Sequence, residues 1–266
     1  MKTIHYAGLY LWNIAKSVGA LLWTIISGLL RRILLLIFHV ISSPVHFSLG
    51  LYNGFKLLFN QPKQWSGWLG TNLLSVLAWI GRVISKTLDV VLLGEFLDLV
   101  FQLVKPNSRT LTSMEIDEAQ KVFGKGIPYW QIRIDELSLI AWIGAWLTKS
   151  KSMGVTTFHT VNFTRKLNVE PGNRDMEWLI HELAHVSQME YAGVQYIIEA
   201  LVAQYTGGYS YGGKEALVGK RLQDFNREQQ SEIAADYYRY VLYGGFASKY
   251  YEHLIDEFRT PRKFFF

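Results

Sequence analysis

Residues Leu179-Ile180-His181-Glu182-Leu183-Ala184-His185-Val186-Ser187-Gln188 lie in the middle of a helix that the pattern predicts to run from just after Asn173 to about Tyr191. Because His181 and His185 are four residues apart, a helix presents both imidazoles on one face, one turn apart. Two imidazoles placed in this way can share one tetrahedral metal ion, and Glu182 can reach a water bound to that ion. This HExxH string therefore predicts a Zn²⁺ site with Glu182 as the general base. The alternative is a pair of histidines that bind nothing.

A catalytic zinc ion needs a third protein ligand and one open position. Downstream, the last predicted helix begins at Asn226 and ends at Gly244-Gly245, and in it Glu232 and Asp236 are again four residues apart. This spacing resembles the E-x-x-x-D arrangement of the thermolysin-like gluzincins. The resemblance implies that Glu232 is a zinc ligand and that Asp236 fixes His181 through its other ring nitrogen. Glu228 is the main competitor for the ligand position, and a solvated helix face is the alternative for these acids.

Three stretches together resemble a known family, namely Leu111–Gly124, Thr160–Phe163 and Leu179–Gln188. They are similar to zincin-like peptidases described as Vgr-related, which occur with bacterial type VI secretion and similar contractile injection systems. The resemblance covers about residues 110–240. It implies a zinc metallopeptidase that acts as, or is attached to, a secreted effector, and it leaves the substrate open.

Charge divides the 266 residues into two parts, with an expected boundary near Lys105. Residues 1–104 contain eight Lys or Arg and three Asp or Glu, whereas residues 105–266 contain nineteen of each sign. A basic and apolar segment suits an anionic membrane surface, and no motif for nucleic acid is present. The chain has no cysteine, which excludes disulfides, thiolate ligands and a cysteine nucleophile.

The N-terminal part, 1–104, reads as an all-helical hydrophobic region with uncharged runs at Ser17–Leu30, Ile33–Phe55 and Gln64–Gly81. We expect the second run to break near Pro44. A cleavable signal peptide is not expected, because charged residues interrupt the start and no suitable cleavage site follows. Two interpretations stay open. The helices insert into or lie on a membrane, or they form a hydrophobic collar that packs on the second domain or on a partner such as a secretion-spike protein or chaperone.

The second part, 105–266, is predicted to be an α+β zincin-like metallopeptidase domain, mostly helical with a small sheet. A capping box of Thr112 and Glu115 opens a helix over about 113–122, and Asn226 with Gln229 opens the helix that carries Glu232. The β-rich stretch Gly154–Phe163 is expected to be the edge strand that pairs with an extended peptide. A further helix is expected from about Val194 to Tyr205, followed by a loop, 205–213, that serves either as a lid over the cleft or as a plain connection.

The remaining polar side chains include candidates for contacting the substrate. His159 in the β-rich stretch is a candidate for contacting substrate, although a lone histidine is more often structural. Tyr237, together with Tyr238, Tyr209 and Tyr211, is a candidate for stabilising the oxyanion.

Two classes of function are compatible with these features. The first is a zinc-dependent peptidase with a peptide or protein substrate, membrane-associated or secreted by a bacterial secretion system. The second is a membrane-active or spike-docking protein whose zinc domain is structural or inactive. Structural zinc usually has four protein ligands, and the sequence offers three good candidates, which favours catalysis.

Overall fold

The computed structural model describes residues 2–105, 108–196, 199 and 208–260. Within them the chain is mostly helical with one small sheet, which confirms the expected α+β class. The helices are α1 Lys2–Asn60, α2 Trp65–Val90, α3 Leu93–Val104, α4 Ser113–Phe123, α5 Leu139–Thr148, α6 Arg174–Ala192, α7 Arg227–Asp236 and α8 Glu252–Arg259. The strands are β1 Arg109–Thr110, β2 Arg133–Glu136, β3 Gly154–Thr157 and β4 Thr160–Phe163.

The chain forms two compact units. One consists of Met1–Leu21, Glu95–Ala192 and Tyr196–Phe266, and the other of Leu22–Gly94 and Gly193–Gln195. The units divide inside α3, at Gly94, and the domain boundary expected near Lys105 stays a prediction. Most of α3 belongs to the unit that contains the HExxH helix.

In the unit formed mainly by Leu22–Gly94, α1 runs through Pro44 without ending, so the predicted break is wrong. Proline has no N–H, and its presence leaves the carbonyl four residues earlier, that of Val40, without its usual helical donor. The Ser43 hydroxyl donates to this carbonyl at 2.5 Å. The Trp79 indole donates to the neighbouring carbonyl of His39 at 3.3 Å. The Ser43 hydroxyl thus replaces the missing hydrogen bond, and the helix continues.

One segment of α1, Gly28–Asn60, is long and apolar enough to cross a membrane among the residues searched, with a mean hydropathy of 1.8 over its most apolar window. Only 6% of that window is buried. This assignment uses only the length and the composition of the segment, and a signal sequence has the same two properties. Membrane association of the N-terminal part therefore stays a prediction.

The sheet in the other unit has the strand order β1-β2-β4-β3. β2 and β4 are parallel, and both outer pairs are antiparallel. The stretch Gly154–Phe163, expected as one strand, is a hairpin that turns at Phe158, whose φ is +56°. Its first strand, β3, is at the edge of the sheet.

The helix α6 lies under the sheet, with α7 packed along it. It begins where the Asn173 side chain accepts a hydrogen bond from the Met176 amide at 2.8 Å. Asp175 and Glu177 in its first turn complement the positive end of the helix dipole. Most of α6 is buried, and its apolar residues join those of β2, β4, α4, α7 and α8 in one core. Both predicted capping boxes are present, at Thr112 and at Asn226. The core thus holds the HExxH helix from several sides.

Candidate metal centre

Two histidines of α6 and one glutamate of α7 meet in the interior. The Nε2 atoms of His181 and His185 each lie 3.5 Å from Oε2 of Glu228. All three residues are buried, and the three atoms lie within 4.8 Å of one another. They are therefore close enough to bind one metal ion.

The two distances from Nε2 to Oε2 of Glu228, 3.5 Å each, are longer than ordinary hydrogen bonds. Oε2 of Glu228 is buried and has no hydrogen-bond partner among the described residues. A buried carboxylate oxygen without a partner is costly. Zinc with bonds of about 2.0–2.1 Å in tetrahedral geometry separates its ligand atoms by about 3.3–3.4 Å. An ion between the three atoms would satisfy the oxygen at close to the observed distances, and two nitrogens with one carboxylate oxygen are a donor set that zinc accepts.

The second ring nitrogen of each histidine is also held. Nδ1 of His185 lies 2.9 Å from Oε1 of Gln188 and 3.1 Å from the Ser231 hydroxyl. Because the Gln188 amide nitrogen donates to the Arg227 carbonyl at 2.8 Å, its oxygen is turned toward the histidine. Nδ1 of His185 therefore carries the proton, and Nε2 has its lone pair available for a metal.

For His181, Nδ1 faces the Glu232 carboxylate at 3.3 Å. Glu232 thus lies where Asp236 was expected, beside the second ring nitrogen of His181, and Glu228 lies beside the two Nε2 atoms, where Glu232 was expected. Asp236 instead accepts a hydrogen bond from the Tyr211 hydroxyl, one turn farther along α7. The predicted set of acids is displaced by one helical turn, because α7 crosses α6 at the level of Glu228 and not at that of Glu232.

The charges around the site attract a cation. Burial acts to lower the pKa of His181, but the carboxylates of Glu228, Glu232 and Glu182 raise it to about 10. Burial acts in the opposite direction on Glu228, whose pKa is nevertheless lowered to about 2 by the two histidines. The carboxylates around His181 therefore favour a positive charge at this position, and a proton on His181 provides one.

Glu182, the predicted general base, is held by the edge strand. The Thr156 hydroxyl on β3 lies 2.9 Å from Oε2 of Glu182 and 3.1 Å from its backbone oxygen. On the same strand, Gly154 leaves the space that the carboxylate occupies, since a Cβ there would lie 2.3 Å from Oε1. Neither contact can be predicted from the sequence, because both depend on how β3 crosses α6.

A cleft of about 790 Å³ opens beside these residues. Its lining includes His181, Glu182 and Glu232, and also Trp178 and Tyr209. The Tyr209 ring centroid lies 5.8 Å from that of His181. The cleft is large enough for a peptide segment, with the base and the histidine on its wall.

The other proposed tyrosines are engaged elsewhere. Tyr211 bonds to Asp236, and Tyr238 bonds to Glu118. Tyr237, expected near the substrate, is buried and donates to Glu252 at 3.2 Å. Of the four candidates, Tyr209 is the one in the lining of the cleft. Most of the helix predicted after Val194, and the start of the 205–213 loop, lie outside the described residues.

His159 does not line the cleft either. Its Nδ1 lies 3.1 Å from the Asp98 carboxylate, and its Nε2 lies 2.7 Å from the Glu190 carboxylate. Both ring nitrogens are therefore taken by side chains of the protein. This ion-paired histidine fixes the turn between β3 and β4, which is a structural role and not the expected contact with substrate.

Comparisons of the chain with protein-family models, with curated proteins and with solved structures found no match. The case for a function rests on the residues of the site and on their geometry.

Proposed function

We propose that the protein is a zinc-dependent peptidase of the gluzincin type. The observation that carries this proposal is the convergence of two buried Nε2 atoms and one orphaned carboxylate oxygen next to a cleft whose lining includes His181 and Glu182. Three protein ligands leave one position for water or substrate, as catalytic zinc sites do.

The chemistry divides between the ion and the side chains. Zinc, when bound, lowers the pKa of its water and polarises the scissile carbonyl. Glu182 accepts the proton of the attacking water and delivers it to the leaving amine. Thr156 holds the Glu182 carboxylate, and β3, at the edge of the sheet, offers backbone groups to an extended peptide. Tyr209 is our candidate for donating a hydrogen bond to the oxyanion.

The biological setting is a wider part of the same proposal. The resemblance of Leu111–Gly124, Thr160–Phe163 and Leu179–Gln188 to Vgr-related zincins supports a bacterial secreted effector. The apolar residues 1–104 support a lipid, spike or chaperone partner. The competing function is a membrane-active protein with an inert zinc site, which the segment Gly28–Asn60 favours by its length and hydropathy.

The experiment combines metal analysis with a peptide-library cleavage assay. We expect about one zinc per chain in the wild type and loss of zinc in the His181→Ala/His185→Ala double variant. Glu182→Gln is expected to keep zinc and lose hydrolysis. Glu177→Gln is the matched control, because Glu177 lines the same cleft but pairs with Arg239 at 3.1 Å. Stoichiometric zinc in the double variant, or wild-type cleavage by Glu182→Gln, would overturn the proposal.

A further inference from the structure

The short helix α5, which lies in the same unit as the metal centre, has its small residues inside and its large apolar residues outside. Ala141 and Ala145 are the buried residues of this helix. Gly144 also faces inward, where a Cβ would lie 2.9 Å from the Met153 sulfur. The helices of soluble domains usually have the reverse arrangement, with large apolar side chains in the core.

The outward face of α5 is apolar along its whole length. Trp146 is 78% exposed and Leu139 is 72% exposed. Five large side chains form this face: Leu139, Trp142, Ile143, Trp146 and Leu147. A contiguous apolar patch of this kind marks a surface that is covered in the working state of the protein.

The charges that flank this face indicate what covers it. The stretch 137–153 contains no Asp or Glu, and the exposed Lys149 and Lys151 follow directly after the helix. Tryptophan and lysine beside an apolar face are typical of segments that lie at the boundary between lipid headgroups and acyl chains. Ten residues of helix measure about 15 Å, which is half of the hydrocarbon thickness, so α5 can lie in the interface but cannot span it.

We propose that α5 inserts its outward face into the surface of an anionic lipid bilayer. Lys149 and Lys151 contact the headgroups, and the two tryptophans lie at the level of the interface. This contact is separate from the membrane association predicted for residues 1–104, since α5, Leu139–Thr148, lies outside that range.

The position of α5 also indicates a class of substrate, and this part of the inference rests on the proposed peptidase function. Thr148 at the end of α5, and Ser150 and Ser152 after it, line the cleft that contains Glu182. A bilayer in contact with α5 therefore lies next to one wall of this cleft. The substrate class that fits is a polypeptide segment close to a membrane surface, such as the juxtamembrane part of a membrane protein.

The test uses the full chain, which has no cysteine, so a single introduced thiol can carry a fluorescent probe. Leu147→Cys is labelled with an environment-sensitive dye, and Val218→Cys, which replaces a residue 64% exposed on the same unit, is the matched control. Both proteins are mixed with phosphatidylcholine/phosphatidylglycerol vesicles that contain a lipid-borne quencher. Because vesicle-bound protein is collected for each, binding through residues 1–104 does not confuse the comparison.

We expect a shift to shorter wavelength and several-fold stronger quenching at position 147 than at position 218. Lys149→Gln with Lys151→Gln is expected to reduce the quenching at 147 on these vesicles. Equal quenching at both positions would overturn the proposal. Shielding of the probe at 147 without vesicles, increasing with protein concentration, would also overturn it by showing that a second copy covers α5. The measurement needs neither zinc nor peptidase activity. Its result therefore tests membrane insertion of α5 separately from the proposed function.

Discussion

The identity of the third ligand can be tested with two conservative substitutions on one helix, Glu228→Gln and Glu232→Gln. Four-ligand zinc sites bind with about 10–16 kcal/mol, so one ligand contributes about 3–4 kcal/mol. Because Glu228 is 4% exposed and its Oε2 lies 3.5 Å from both Nε2 atoms, we expect its replacement to weaken zinc binding by about 100–1000-fold.

Glu232 is expected to matter less. It acts on the ion through His181, 3.3 Å from Nδ1, and its side chain is 38% exposed, so solvent screens part of its charge. Carboxylates in this position usually change metal affinity by about 10–100-fold, and we expect the lower end of that range. Asp236→Asn is the control, because Asp236 bonds to Tyr211 and should leave zinc affinity close to that of the wild type.

Affinity is measured by competition with a fluorescent zinc chelator, and circular dichroism confirms that each variant is folded. The expected order of loss is Glu228→Gln, then Glu232→Gln, then Asp236→Asn. If Glu232→Gln releases zinc while Glu228→Gln retains it, the ligand is Glu232. In that case α7 crosses α6 one helical turn later, at Glu232 and not at Glu228.

Two further outcomes are expected. Thr156→Val removes the hydroxyl 2.9 Å from the Glu182 carboxylate and should lower kcat by roughly tenfold in a peptide-cleavage assay, with little change in zinc content. Thr157→Val on the same strand is the control and should change neither kcat nor zinc content. Loss of zinc in Thr156→Val would contradict the role of this hydroxyl in holding the base. Burial acts to lower the pKa of His159, but Asp98 and Glu190 raise it to about 10, so its contribution to stability is complete below about pH 6.5 and is lost as the pH rises through about 10. Urea unfolding in detergent should show a steeper loss of stability between pH 7 and 10 for the wild type than for His159→Gln, and equal slopes would show that the histidine is neutral.

The elements of the fold that local rules govern were predictable. The α6 helix follows from the spacing of its histidines and from the turn before Asn173, and both capping boxes follow from a Thr or Asn with Glu or Gln three residues on. Each of these signals lies within one turn of the residues that it concerns. The helix break at Pro44 was wrong for a related reason, since Ser43 supplies the donor that the rule for proline assumes to be missing.

The candidate site was predictable only as far as the helices that carry it. Glu228, Glu232 and Asp236 are successively four residues apart, so they share one face of α7, and the sequence contains no information on which of them meets α6. The hairpin at Phe158 was missed because neither Phe158 nor His159 is a usual turn residue. The burial of Phe158 and the two ion pairs of His159 stabilise that turn, and all of these contacts are distant in sequence.

Because Gly154 lies so close to the Glu182 carboxylate, a substitution at this position is expected to separate binding of the ion and the peptide from turnover of the peptide. A single added carbon at position 154 would lie 2.3 Å from Oε1 of Glu182 and 2.9 Å from Nε1 of Trp178. If the protein is the peptidase proposed above, a chain with alanine there is expected to bind zinc and peptide but to hydrolyse the peptide far more slowly. Such a chain is a natural bait, because it would hold physiological targets long enough for them to be recovered and identified by mass spectrometry.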